Sequence, residues 1–224
     1  MNTKAKTITI TIREPGSMLT HLIGVILSIL AFFPMLTRAA KSVSHEAFMG
    51  IVIYLFSLLL LYLASTIYHS VNICTSRLNL FRKIDHMMIF VLIAGSYTPI
   101  CLITLHGRKG IVLLVVIWCL AAIGMIGKYC WITCPKWFSS AIYISMGWVC
   151  VFVFRELIDR LPHGAFVWLL AGGIIYTAGG IIYALKVPLF RPRENFGNHE
   201  VFHLFVLTGS LCHFISIYHY LIAP

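Results

Sequence analysis

From about residue 17 the chain alternates long apolar runs with short polar connections, and seven of the runs are long enough to cross a membrane as helices. They are expected at about 17–37, 47–70, 85–105, 110–127, 138–155, 165–186 and 199–222. A helix satisfies its own backbone N–H and C=O groups, as the hydrocarbon core requires. A closed barrel would also do so, but it needs short strands of alternating polarity, and these runs do not alternate. Short connections make neighbouring spans antiparallel. Pro99, closing Gly95-Ser96-Tyr97-Thr98-Pro99, should kink the third span. The sixth span repeats Gly-Gly-Ile-Ile-Tyr at 172–176 and 179–183, and glycines seven apart make a flat stripe for close helix contact. The expected fold class is all-α: a polytopic seven-transmembrane helix bundle, with residues 1–16 as a cytoplasmic tail and 17–224 as one membrane domain.

Composition agrees with that pattern. Of 224 residues, 60% are hydrophobic and 11% charged, against about 25% charged in a soluble domain. The net charge of +10 does not imply nucleic acid, because Lys and Arg lie between apolar runs rather than in one patch. The positive-inside rule accounts for them. Eleven fall on the side of the N-terminal tail (Lys4, Lys6, Arg13, Arg77, Arg82, Lys83, Lys128, Lys136, Lys186, Arg191, Arg193) and six on the other. The N-terminus is therefore expected inside and the C-terminus outside, with Lys4, Lys6 and Arg13 near anionic lipid. That orientation inverts the receptors coupled to G proteins, and a last span without Lys excludes a retinal Schiff base. The first apolar run is long and lacks a small-x-small site, so no cleavable signal is expected. Seven scattered cysteines, an odd number, give no disulfide framework. Cys130 and Cys134 have the spacing of metal ligands on one helical face, but no second pair of ligands is nearby.

The polar residues inside the apolar runs carry the functional signal. His199 and His203, four apart, share one face of the last helix. With the expected topology the second span runs inward and ends in Ser65-Thr66-Ile67-Tyr68-His69, while the third begins inside with Asp85-His86. His69, Asp85, His199 and His203 thus come from three helices to one depth, where ionisable groups are costly and functional by default. Three imidazoles with an open fourth position make a catalytic zinc arrangement. His69, His199 and His203 are assigned as Zn2+ ligands, Asp85 as the acceptor of a proton from water at the metal, and Ser65 as the group that orients the water or stabilises an oxyanion. Blander roles exist for each. The histidines can bond to backbone, Asp85 can favour a helix N-terminus or pair with Lys83, and Ser65 can back-bond within its helix. His86 is expected behind the ligands. His21, His213 and His219 are read as polar packing or interfacial residues, and His45, His106 and His163 as outer-loop residues without a specific role.

Ser65-Thr66-Ile67-Tyr68-His69, Lys83-Ile84-Asp85-His86, Gly95–Pro99, and His199-x-x-x-His203 with Cys212-His213 resemble the haemolysin III proteins, from Thr20-His21 onward. These are the bacterial branch of the progestin and adipoQ receptor family, more distantly similar to alkaline ceramidases. The resemblance implies seven helices, an inner-leaflet zinc on the three histidines, Asp85 and Ser65 near its water, and hydrolysis of a lipid amide or a role in membrane-lipid homeostasis. Haemolysis is the family's historical label. Before Thr20-His21 the family often has Glu and Asn. Here the stretch is Glu14-Pro15-Gly16-Ser17, and a role for Glu14 stays open.

His199-Glu200-x-x-His203 is also the zincin pattern, with Glu as general base. Zincins take a third ligand from downstream, whereas no Asp or Glu follows Glu200, and a base there would leave His69 and Asp85 unexplained. Glu200 can instead shield the metal or pair with Arg191 or Arg193. The expected protein is a multi-pass protein of the bacterial inner membrane, taking a membrane lipid as substrate or ligand, with the basic 186–193 connection facing anionic head groups. The alternatives are a non-enzymatic sensor with structural zinc and a pore-forming cytolysin.

Overall fold

The computed structural model describes residues 12–187 and 196–222. Lys4, Lys6, Arg191 and Arg193, named above for lipid contact and for Glu200, lie outside the described residues.

The structure is helical. It contains α1 (Pro15–Ser42), α2 (His45–Ser70), α3 (Thr75–Pro99), α4 (Arg108–Cys130), α5 (Lys136–Gly147), α6 (Phe154–Arg160), α7 (His163–Leu185) and α8 (Asn198–Ser216). α5 and α6 join through a tight turn at Val149–Val153 into one span, so seven segments are long and apolar enough to cross a membrane. This is a multi-pass membrane protein. α1 packs on α2, α2 on α3, α3 on α4 and α5, α5 on α7 and α7 on α8, and α8 returns to α1.

Local sequence explains the helix ends. α1 opens on Pro15, whose missing N–H is no loss in a first turn. The Ser44 hydroxyl caps α2 by accepting from the Ala47 N–H. α3 stops at Pro99, and a wider π-helical turn at Ile100–Thr104 follows it. The expected kink is thus a change of helix type. α3 also begins ten residues before its apolar run, at Thr75. Asp85 therefore lies well beyond the first turn and does not serve the helix N-terminus.

Small and polar side chains hold the helices together, because lipid gives apolar side chains little reason to choose a neighbouring helix. The Tyr62 hydroxyl of α2 donates to Ser210 Oγ of α8 at 2.6 Å, and Tyr176 Oη of α7 lies 2.8 Å from the same oxygen. Tyr97 Oη donates to the Gly147 carbonyl at 2.6 Å and accepts from the Cys150 N–H at 3.0 Å, bracing the break between α5 and α6. The glycine stripe is a packing surface, as expected. A Cβ at Gly172 would come within 2.4 Å of His213 Cδ2, and one at Gly179 within 2.5 Å of Phe205 Cβ.

Candidate metal centre

His69 closes α2, while His199 and His203 fill the first two turns of α8. The bundle brings the three together: their ligand nitrogens lie within 4.8 Å of one another. His69 and His203 are 1% and 2% exposed. His69 Nε2 and His199 Nε2 are 3.2 Å apart. Nitrogens about 2.05 Å from a tetrahedral zinc would be separated by roughly 3.3 Å.

The neighbours fix which nitrogens carry protons. Glu14, extended just before α1, bonds to His69 Nδ1, and its own N–H donates to the His69 carbonyl at 3.0 Å. A carboxylate accepts, so His69 carries its proton on Nδ1. The Thr20 hydroxyl spends its proton on the Ser17 carbonyl at 2.8 Å, leaving its oxygen to accept from His203 Nδ1 at 2.9 Å. Both rings therefore donate from Nδ1, which leaves Nε2 as the atom each can offer to a metal. Histidines that ligate a metal are held in this way, with the second ring nitrogen donating to an outer partner. Buried lone pairs that converge with no donor between them suit a cation, and zinc fits the donor set. The hydrogen bond from His69 holds the Glu14 carboxyl below the ordinary carboxylate range, aided by Arg13, against the opposing effect of burial. Arg13 also donates to the Tyr68 carbonyl at 2.8 Å and lies over the Tyr68 ring, clamping the start of α1 onto the end of α2.

Asp85 and Ser65 line the same cavity as His199 and His203, a space of about 170 Å³. Its walls beyond them are mostly apolar, including Leu61, Ile89, Leu92 and Val206. Ser65 Oγ is fully buried and lies toward the Asp85 carboxyl, with no partner in its own helix. It does not back-bond, whereas Thr66, next to it, donates to the Tyr62 carbonyl at 2.7 Å. Asp85 forms no ion pair with Lys83, whose ammonium sits 4.4 Å from the Tyr129 ring centroid.

His21 is buried and stacked on His203 with ring centroids 3.6 Å apart, and neither of its nitrogens has a partner among the described residues. It belongs to the centre's wall rather than to an interface. His86 lines the same cavity, beside Asp85. His213 packs edge-on to Tyr176 at 5.3 Å. His45, His106, His163 and His219 are exposed. Glu200 is committed elsewhere: one oxygen accepts from the Gly197 N–H at 2.8 Å, capping α8, and the other takes the Ser17 hydroxyl. A carboxylate held as a helix cap is not placed as a zincin base. Cys134 bonds to Lys128 and Ser139, and the three histidines form the sole potential metal-ligand cluster among the described residues.

Glu14 and Thr20 are what the sequence leaves unassigned. The clue was present in Thr20-His21 and in an acidic residue just ahead of the first span, but their partners are 55 and 183 positions away.

Comparison with known proteins places the chain in a family. The Haemolysin-III related family model matches residues 10–214. A Hemolysin-3 of Bacillus cereus is 39% identical over 210 residues, covering 93% of this chain and 92% of the relative. A Hemolysin-3 homolog of Bacillus subtilis (strain 168) is 36% identical over 207 residues, covering 92% and 93%. The human Monocyte to macrophage differentiation factor is 28% identical over 177 residues, covering 75% of this chain and 69% of its own length. On the family-model match and these two Bacillus relatives, the chain belongs to the haemolysin III-related family.

Proposed function

We propose that the protein is a zinc-dependent hydrolase of a lipid amide or ester bond, acting in membrane-lipid homeostasis from the bacterial inner membrane. The N-terminus and the metal centre face the cytosolic leaflet, in keeping with the excess of Lys and Arg at that end. The observation that carries the reading is one cavity, about 170 Å³, whose apolar walls lead to His199, His203, Asp85 and Ser65.

His69, His199 and His203 would hold zinc through their Nε2 atoms. When bound there, zinc supplies Lewis acidity toward a carbonyl and makes a coordinated water acidic near neutral pH. Asp85 takes the proton from the attacking water and returns it to the leaving amine or alcohol. The Ser65 hydroxyl, beside Asp85 and free of its own helix backbone, orients the water or donates to the developing oxyanion. The apolar walls bind the acyl chain and keep bulk water from the reacting carbon.

Turnover of a lipid extract by the purified protein, followed by mass spectrometry, tests this proposal. Asp85→Asn keeps its metal and loses about 10²- to 10⁴-fold in rate. Unchanged turnover in that variant contradicts the mechanism. The names of the two Bacillus relatives raise cytolysis as a second reading. It requires dye release from liposomes that lack any hydrolysable lipid.

A further inference from the structure

The same cavity carries cations that hydrolysis of a neutral lipid does not use. Arg82 of α3, Lys128 of α4 and Lys136 of α5 all line it, at the end where the histidines lie. Asp85 is the one acidic residue among the lining. No ion pair among the described residues joins any of the three to a carboxylate.

Lys128 is the least expected of them. Lysines at a membrane surface extend toward water, but this one turns inward and is 6% exposed. Its ammonium has three N–H donors. One reaches Ser139 Oγ at 2.5 Å and another Cys134 Sγ at 3.1 Å, neither of them a carboxylate, and a third remains for the cavity. A buried ammonium without a counter-charge is costly. Lys136 sits in the first turn of α5, which has no acidic residue, so its charge opposes the helix dipole. Its ammonium lies 4.3 Å from the Tyr183 ring centroid, and Arg82 is within electrostatic reach of both. Three cations without a carboxylate partner thus line a cavity that holds one acidic residue. The positive-inside rule explains basic residues at this end of the bundle, but not a lysine turned away from water.

We propose that Arg82, Lys128 and Lys136 form an oxyanion subsite at the metal end of the cavity, and that the lipid taken there carries an anionic head group, such as a phosphate ester. The proposal rests on the cavity being the lipid site of the hydrolase described above. Lys128 contacts the oxyanion inside, while Arg82 and Lys136 close over it at the mouth. The acyl chain then runs along the apolar wall past Ile89 and Leu92.

The test is binding by the full-length protein in detergent, with short-chain phosphatidic acid, phosphatidylcholine of the same chains, and inorganic phosphate as the probes. Wild type binds phosphatidic acid about tenfold or more tightly than phosphatidylcholine. Lys128→Met removes that preference, and Lys136→Gln, at an exposed position that leaves the fold undisturbed, reduces it. Lys128→Arg keeps it. Equal binding of the two lipids, or a preference that survives both Lys128→Met and Lys136→Gln, overturns the subsite. Inorganic phosphate competing as well as the lipid overturns the lipid assignment and makes the site one for free phosphate. Asp85→Asn and His69→Ala separate the two proposals, since both retain the preference for phosphatidic acid whether or not the protein hydrolyses anything.

Discussion

The two ends of the bundle solve the problem of buried polarity in opposite ways. At the end where α1 and α8 finish and α2 begins, the interior is Met35, Ala39, Ile51, Tyr54, Leu55 and Ile217, all fully buried. The basic residue that enters there is used up: Arg38 donates to the Ile222 carbonyl at 2.9 Å and lies over the Tyr218 ring. At the other end the interior holds His21, Ser65, His69, Asp85, Lys128 and His203. Several of their polar atoms, including both nitrogens of His21, find no partner among the described residues. One such atom, Tyr54 Oη, also lies among the apolar residues, but the unpartnered groups gather at the polar end, where a ligand can use them. On the function proposed above, the apolar end serves stability and the polar end serves binding and chemistry.

Substitutions at the two ends should therefore fail differently. The largest effect falls on the histidines. His203→Ala takes bound zinc from one per chain to none and abolishes turnover, as metal analysis of the purified variant will show. Next comes Ile51→Ala at the opposite end, which leaves a cavity and costs about 2–5 kcal/mol in detergent unfolding. Its zinc content stays at that of wild type, and loss of zinc there would break the division between the two ends. Smaller again is Glu14→Gln. It keeps the fold but frees His69 to take the wrong tautomer, weakening zinc about 10- to 100-fold in a chelator competition. Thr20→Val should act in the same direction through His203. The smallest contrast lies within the glycine repeat. Gly179→Ala forces its methyl against Phe205 and costs about 1–3 kcal/mol, while Gly173→Ala, with nothing within 4 Å of the added carbon, changes stability by about 0.5 kcal/mol or less.

The seven spans and the histidine cluster were legible because both are periodic. Apolar runs of membrane length mark spans, and His199 and His203 share a face whatever the rest of the chain does. Depth needed one further step, the excess of Lys and Arg on one side, to bring His69 into register with them. The unread features belong to contacts rather than to patterns. Hydropathy reports the oily part of a helix, so the polar stretch from Thr75 that starts α3 was invisible, and with it the true position of Asp85. The break after Gly147 follows from how Tyr97 bonds to the Gly147 carbonyl and the Cys150 N–H. Glu200 matched a protease pattern in sequence, yet local geometry makes it a helix cap. The direction of the Lys128 side chain is set by Ser139 on another helix, and a sequence does not display it.

In the proposed centre His69, His199 and His203 grip one metal ion through their Nε2 atoms. Anomalous diffraction at the zinc edge, from crystals of the full-length protein, tests it most directly. One zinc peak per chain is expected, about 2.0–2.1 Å from all three Nε2 atoms. Zinc found elsewhere, or a site that stays empty with zinc supplied, would contradict it.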